Sequence, residues 1–173
     1  MYIPIILGTA REGRESEKVA KFVMTEAGKY GFETELIDVK DYASPATWSM
    51  KPDIKEKISA KIKNADALII VAPEYNHSYP GELKIFMDNF YQEYFYKPIG
   101  ICGVSSGFLG GARMVEQLRL VSIEFHMIPI REALFFSSVK TIFNENGSVK
   151  DQGYLEKLKT MFKELEMITN RLK

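Results

Sequence analysis

The chain has 173 residues, and 23 lysines and arginines balance 23 aspartates and glutamates, so its formal charge is zero. That balance argues against a dedicated nucleic-acid binder, which carries a basic face, and against a strongly acidic electron carrier that finds partners through its charge. A single cysteine, Cys102, excludes an intrachain disulfide and a cysteine-rich metal site.

The length predicts one domain spanning 1–173. The N-terminal MYIPIILGTA has no basic lead, and no run approaches the ~20 apolar residues of a membrane span, so a cytoplasmic protein is expected. Tyr2 to Leu7 reads as a first strand, too short for a helix and ended by Gly8. It lacks an in/out alternation, which predicts burial on both faces, as in a parallel sheet. A polar loop with Thr9, Arg11 and Arg14 follows. Ser16 stands where a helix should begin and is suited to cap it; Val19, Ala20, Phe22, Val23 and Ala27 form its apolar face, and Gly31 its end.

Phe32 to Val39 alternates apolar and polar residues and reads as an edge strand. Lys40 to Pro52 is irregular, and its length suits a loop beside a site, a subunit contact, or a plain surface loop with Trp48 packed beneath it. Asp53 to Asn64 is predicted as a helix with Ile54, Ile58 and Ile62 on one face. Ala67 to Ala72 is the clearest buried strand. It runs into Pro73 to Gly81, a loop dense in turn formers, and then a helix is expected from Glu82 to about Tyr94.

Pro98 to Val104 forms a fourth strand, ended by Ser105-Ser106-Gly107, and Gly110-Gly111 opens a helix over Ala112 to Phe125. His126 to Ile130 is a short fifth strand, Asn144 to Gly147 a turn in a hairpin-like stretch, and Tyr154 to Leu172 a closing amphipathic helix. Strand and helix alternate five times, which predicts a parallel sheet covered by helices on both faces. In such sheets ligands bind beyond the C-terminal strand ends, where three polar loops lie here.

The first loop can surround a phosphate with the Thr9 and Ser16 hydroxyls, the Arg11 guanidinium and helix N-H groups; Arg14 either joins them or stays in solvent. The loop lacks the lysine of a P-loop and the glycine spacing of the dinucleotide fingerprint, so neither an ATPase nor a common dinucleotide fold is expected. Taken alone, it also reads as a polar turn with ordinary capping. In the second loop Pro73 and Pro80 restrict the backbone, so Tyr75, His77 and Tyr79 can border a flat heteroaromatic ring while Asn76 and Ser78 supply polar groups. His77 has no carboxylate or second histidine at a useful spacing, so no catalytic acid and no metal site is assigned. The third loop reads either as a close backbone approach to a ligand or as a tight turn needing small residues. The aromatics Phe86, Phe90, Tyr91, Tyr94, Phe95 and Tyr96 exceed what one helix face can place in a core, which suggests a subunit interface.

With these motifs in order, Leu7-Gly8-Thr9-Ala10-Arg11 through Ser16, Pro73 through Lys84 with Asp88, and Gly103 through Arg119, the chain resembles the NADPH-dependent FMN reductase family of flavodoxin-like proteins. One departure is Lys84-Ile85, where many relatives have Lys-Asn. The resemblance implies a flavodoxin-like three-layer sandwich with a five-stranded parallel sheet of order 2-1-3-4-5, and a homodimer or dimer of dimers. It implies FMN as cofactor, with Thr9, Arg11 and Ser16 at its phosphate. Pro73, Glu74, Tyr75, Asn76, His77 and Ser78 would line its ring, and Ser105, Ser106 and Gly107 its pyrimidine edge. NADPH or NADH would be the transient donor and a small molecule (flavin, quinone, azo compound or metal oxyanion) the acceptor. A non-enzymatic flavodoxin-like carrier or a flavin-binding module without turnover is the alternative.

Overall fold

The computed structural model describes residues 1–173. Its strands are β1 (Ile5–Leu7), β2 (Leu36–Asp38), β3 (Leu68–Pro73), β4 (Pro98–Val104) and β5 (Ile128–Phe136). The α-helices are α1 (Ser16–Tyr30), α2 (Pro52–Asn64), α3 (Gly81–Met87), α4 (Ala112–Glu124) and α5 (Gly153–Leu172). The strands form one sheet of order β2-β1-β3-β4-β5, every pair parallel. This is the flavodoxin-like order, and β2 occupies an edge as its alternation requires.

The central strands are buried along their whole length. Successive side chains point to opposite faces, so each strand feeds two cores. Ile5, Leu7, Ile69, Val71, Cys102 and Val104 pack with Val19, Val23, Met161 and Phe162 beneath α1 and α5. Ile6, Leu68, Ile70, Ala72 and Ile101 pack with Ile58, Ile62, Leu83, Val115 and Leu118 beneath α2, α3 and α4. Two cores of similar size clamp the sheet, which fixes the strand ends from which the three polar loops emerge.

Besides β1 and β2, which are shorter (Ile5–Leu7 and Leu36–Asp38) than the expected Tyr2 to Leu7 and Phe32 to Val39, three elements differ from the sequence-based expectation. Ser16 is the first residue of α1 rather than its cap: the preceding Glu15 is helical, and no side chain caps the helix. The third helix ends at Met87, and the chain continues through a 3-10 turn at Gln92–Tyr94. Asn89 donates its side-chain amide to the Ile85 carbonyl and accepts the Met50 N-H, a local bond that competes with continued helix.

Finally, β5 runs to Phe136, well past Ile130. Its register against β4 shifts between Ile99 and Ile101, so Arg131 and Glu132 fall at a bulge. There their backbone N-H groups donate to the Glu164 carboxylate of α5 at 3.2 and 2.9 Å. Those two charged residues sit mid-strand only because a side chain from another element replaces the missing ladder bonds.

Of the six aromatics after Gly81, Phe86, Phe90 and Tyr94 are buried, whereas Tyr91 and Tyr96 remain largely exposed. Trp48, in the loop after β2, is not packed beneath it but stands 80 % exposed.

Candidate functional site

At the C-terminal strand ends a cleft of about 280 Å³ is lined by Arg11, Ser16, Pro73, Glu74, Tyr75 and Ser105, together with Arg14, Glu15, Val104, Ser106, Val139 and Lys140. It therefore joins the loops after β1, β3, β4 and β5, which converge because the strands that precede them are neighbours in the sheet.

The two arginines of the first loop do different work. Arg14 turns inward: its side chain is 5 % exposed, pairs with Asp38 at the end of β2 and donates to the Thr9 carbonyl. It is neither in solvent nor free for a ligand, and its charge anchors the loop to the edge strand. Arg11 is exposed, lies with its guanidinium carbon 6.0 Å from the Tyr75 ring centre, and takes part in no ion pair within 4.0 Å. A cation over an aromatic face at this distance is held by the ring quadrupole while its N-H donors stay available.

Charge in the cleft is otherwise compensated. Glu15 pairs with Lys18 at 2.9 Å. Glu74, whose side chain is 6 % exposed, takes Arg113 at 2.5 Å and also accepts the Arg113 backbone N-H at 3.2 Å. That clamp ties the loop after β3 to the first turn of α4. Lys140, like Arg11, has no carboxylate partner within salt-bridge distance. Two unpaired cations thus face a cleft whose acids are neutralised, a field that favours an anion.

Ser16 supplies a second observation of the same sign. The residue is 2 % exposed, and its hydroxyl oxygen is buried with no hydrogen-bond partner in the protein. A buried hydroxyl without a partner costs about 1–3 kcal/mol, so a ligand that accepts its proton recovers that cost. A phosphate ester meets the requirement, and the residues present fit the phosphate end of FMN.

Thr9 makes its hydrogen bonds within the protein. It is fully buried, and its hydroxyl lies 2.9 Å from Glu82 Oε1, donating to that carboxylate. The Thr9 oxygen also accepts the Arg11 N-H at 3.3 Å and lies 3.2 Å from the Tyr75 hydroxyl. In this structure the Thr9 hydroxyl braces the loop from within.

In the second loop, the Tyr75 and Ser78 backbones bond to each other at 2.9 and 3.0 Å, closing a tight turn over Asn76 and His77, which both have positive φ. Asn76 and His77 are exposed at the tip, and only Pro73, Glu74 and Tyr75 of this loop line the cleft. In the third loop Ser105 Oγ accepts the Gly107 N-H at 3.0 Å; Ser105 and Ser106 line the cleft, and Gly107 stands beside it. Gly111 lets that loop turn back into α4: with φ +87°, a Cβ there would lie 2.6 Å from Val104 N.

Val139 and Lys140 carry no sequence signal for a site. They reach it because the backbone N-H groups of Ser138 and Val139 donate to Gly107 and Ser105 at 3.0 and 3.1 Å, stitching the segment after β5 to the third loop.

Comparison with known proteins identifies the family and the fold. Residues 1–141 match the family model described as NADPH-dependent FMN reductase. The chain is 28 % identical over 176 residues to the NADH:(hydroxy)cinnamate reductase subunit CrdA of Vibrio ruber, covering 96 % of this chain and 86 % of that one. It is 24 % identical over 160 residues to a quinone reductase of Pseudomonas putida, covering 87 % and 85 %. The flavoenzyme NAD(P)H:(acceptor) oxidoreductase FerB of Paracoccus denitrificans superimposes with a TM-score of 0.80 at 22 % identity, covering 98 % and 97 % of the two chains.

Proposed function

The chain belongs to the NADPH-dependent FMN reductase family and is an NAD(P)H-dependent oxidoreductase using FMN, and from that premise we propose that it passes electrons to quinone-type acceptors. The observation that carries the site assignment is the cleft: two unpaired cations, Arg11 and Lys140, and the unpartnered Ser16 hydroxyl at loops that meet Pro73, Glu74, Tyr75, Ser105 and Ser106. Arg11 and Ser16 hold the FMN phosphate; the loops after β3 and β4 take the ring. Bound FMN supplies the redox chemistry, accepting a hydride and returning one or two electrons.

The protein's own part is to bind and orient. The Glu74-Arg113 clamp holds the two ring loops at a fixed separation, and Arg14 with Asp38 holds the phosphate loop against β2. No side chain is assigned as general acid, because the carboxylates lining the cleft are committed to Lys18 and Arg113. A quinone is favoured over the other acceptors because two relatives are named quinone reductases.

In this reading residues 1–173 form one domain acting in the cytoplasm, and two copies associate through the side of the sheet that exposes Trp48, Tyr91, Leu120 and Ile123. No helix is long and apolar enough to cross a membrane.

Steady-state oxidation of NADPH and NADH by FMN-loaded protein, with and without p-benzoquinone, tests the acceptor. The reading predicts quinone-dependent turnover well above that of the same concentration of free FMN. Turnover unaffected by quinone but supported by added free flavin would replace the quinone with flavin as acceptor. Sedimentation velocity tests the association, and a concentration-independent monomer would contradict it.

A further inference from the structure

The Thr9 side chain and carbonyl are gripped from opposite sides, and the α3 side of that grip comes from one carboxylate. Glu82 Oε1 accepts the Thr9 hydroxyl at 2.9 Å and the Ala10 backbone N-H at 3.2 Å. On the other side Arg14 donates to the Thr9 carbonyl. The approach of α3 that brings Glu82 into reach depends on Gly8, where a Cβ would lie 2.9 Å from Leu83 Cδ2 and 3.0 Å from the Ala72 Cβ. Thr9 Oγ1 is in turn 3.2 Å from the Tyr75 hydroxyl, so the same node reaches the loop after β3.

A carboxylate at a phosphate-binding loop is at first sight misplaced, since it repels the ligand. Its bonding partners resolve this: it takes two donors from Thr9 and Ala10, which do not line the cleft, and leaves Arg11 and Ser16, which do. We propose that Glu82 is a positioning residue for the phosphate end of the FMN site, fixing the turn at Gly8 to Arg11 through Thr9 and Ala10 and coupling it to Tyr75. The proposal rests on the reading of the cleft as an FMN site. It separates two effects of the side chain that oppose each other, hydrogen-bond acceptance, which organises the loop, and negative charge, which weakens phosphate binding.

Two substitutions divide those effects. Glu82→Gln keeps an acceptor oxygen for Thr9 and Ala10 and removes the charge; Glu82→Ala removes both. Dissociation constants for FMN and for riboflavin, which lacks the phosphate, are measured by fluorescence titration of apoprotein, with circular dichroism confirming the fold of each variant.

Glu82→Ala is expected to weaken FMN about tenfold, the size of a lost charge-assisted contact, and to leave riboflavin within about twofold. Glu82→Gln is expected to bind FMN as tightly as the wild type or more tightly. Equal losses for the two flavins, no loss in Glu82→Ala, or a Glu82→Gln variant as weak as Glu82→Ala would each overturn the assignment. If Glu82→Ala fails to fold, the FMN affinity of Glu82→Gln decides alone: any loss beyond about twofold overturns the proposal, and an affinity at or above that of the wild type sustains it. Wild-type protein that takes up neither flavin would overturn the FMN reading and this assignment together, whereas wild type that binds FMN beside variants that do not separate overturns this assignment only.

Discussion

Two arginines three positions apart in one loop should respond oppositely to removal. Arg14→Met would remove the cation paired with Asp38, leaving its carboxylate only the Lys40 N-H, and would leave the Thr9 carbonyl without a donor. Breaking a buried pair from one side costs about 3–5 kcal/mol, and because the Asp38 side chain is 15 % exposed water recovers part of this, so about 2–4 kcal/mol is expected. For a chain of this size each kcal/mol moves the melting midpoint by roughly 2–4 °C, which gives a fall of about 4–16 °C. Arg11→Met, at an exposed position with no ion pair, should stay within about 0.5 kcal/mol of the wild type. Adding Asp38→Asn to Arg14→Met should recover part of the loss, because it removes the stranded charge. Melts followed by circular dichroism on the apoproteins, with urea midpoints as a check, measure all three. An Arg14→Met midpoint within 2 °C of the wild type, or an Arg11→Met loss as large as that of Arg14→Met, would refute the division of labour (the threshold being about the smallest shift that 1 kcal/mol produces).

Other outcomes follow from the same geometry. Arg11→Ala should weaken FMN retention about tenfold or more in equilibrium dialysis while leaving the melting midpoint unchanged, as loss of a charge-assisted phosphate contact implies. Ser16→Ala should weaken FMN but leave the apoprotein as stable or more stable, because its hydroxyl is buried without a partner; paired melts with and without FMN reveal the opposed signs. Gly111→Ala should cost about 2 kcal/mol or more in urea unfolding, since its Cβ would collide with the Val104 backbone; Gly147→Ala, with φ +81° and open space around it, should cost only the backbone strain of about 1 kcal/mol. Burial alone would raise the Glu35 carboxyl, but hydrogen bonds from Lys61 and Tyr2 outweigh it and hold the group below its ordinary value. Such a group stabilises the fold above its unfolded pKa, and that contribution is lost as pH falls through the lower folded value; urea midpoints should therefore decline in acid, and less steeply in Glu35→Gln.

Much of this arrangement was legible in local pattern. The apolar run from Pro98 to Val104 marks β4 at its observed bounds, and the alternation of strand and helix predicts the parallel sheet, whose order 2-1-3-4-5 is implied by the family resemblance and not by the pattern itself. What pattern does not carry is pairing across the fold. Nothing near Arg14 in the chain announces Asp38, 24 positions on, and nothing near Thr9 announces Glu82. A buried brace and an exposed ligand-binding group look alike as residues in a polar loop. For the same reason Arg131 and Glu132 concealed the second half of β5, because their N-H groups are satisfied by Glu164 from α5. Val139 and Lys140 enter the cleft only through backbone bonds to Ser105 and Gly107. Asn76 and His77 went the other way: their loop reaches the cleft through Pro73, Glu74 and Tyr75, and a two-residue turn with positive φ carries Asn76 and His77 to its exposed tip.

The cleft should hold FMN where NAD(P)H can reduce it. Apoprotein reconstituted with FMN, freed of unbound flavin by gel filtration and mixed anaerobically with NADPH or NADH, tests that claim directly by its visible absorbance. Flavin should co-elute with the protein at one per chain, be bleached by the reduced nucleotide, and be lost on filtration from Arg11→Ala. Flavin that fails to co-elute with the wild type, or bound flavin that stays oxidised under excess of both nucleotides, would contradict it.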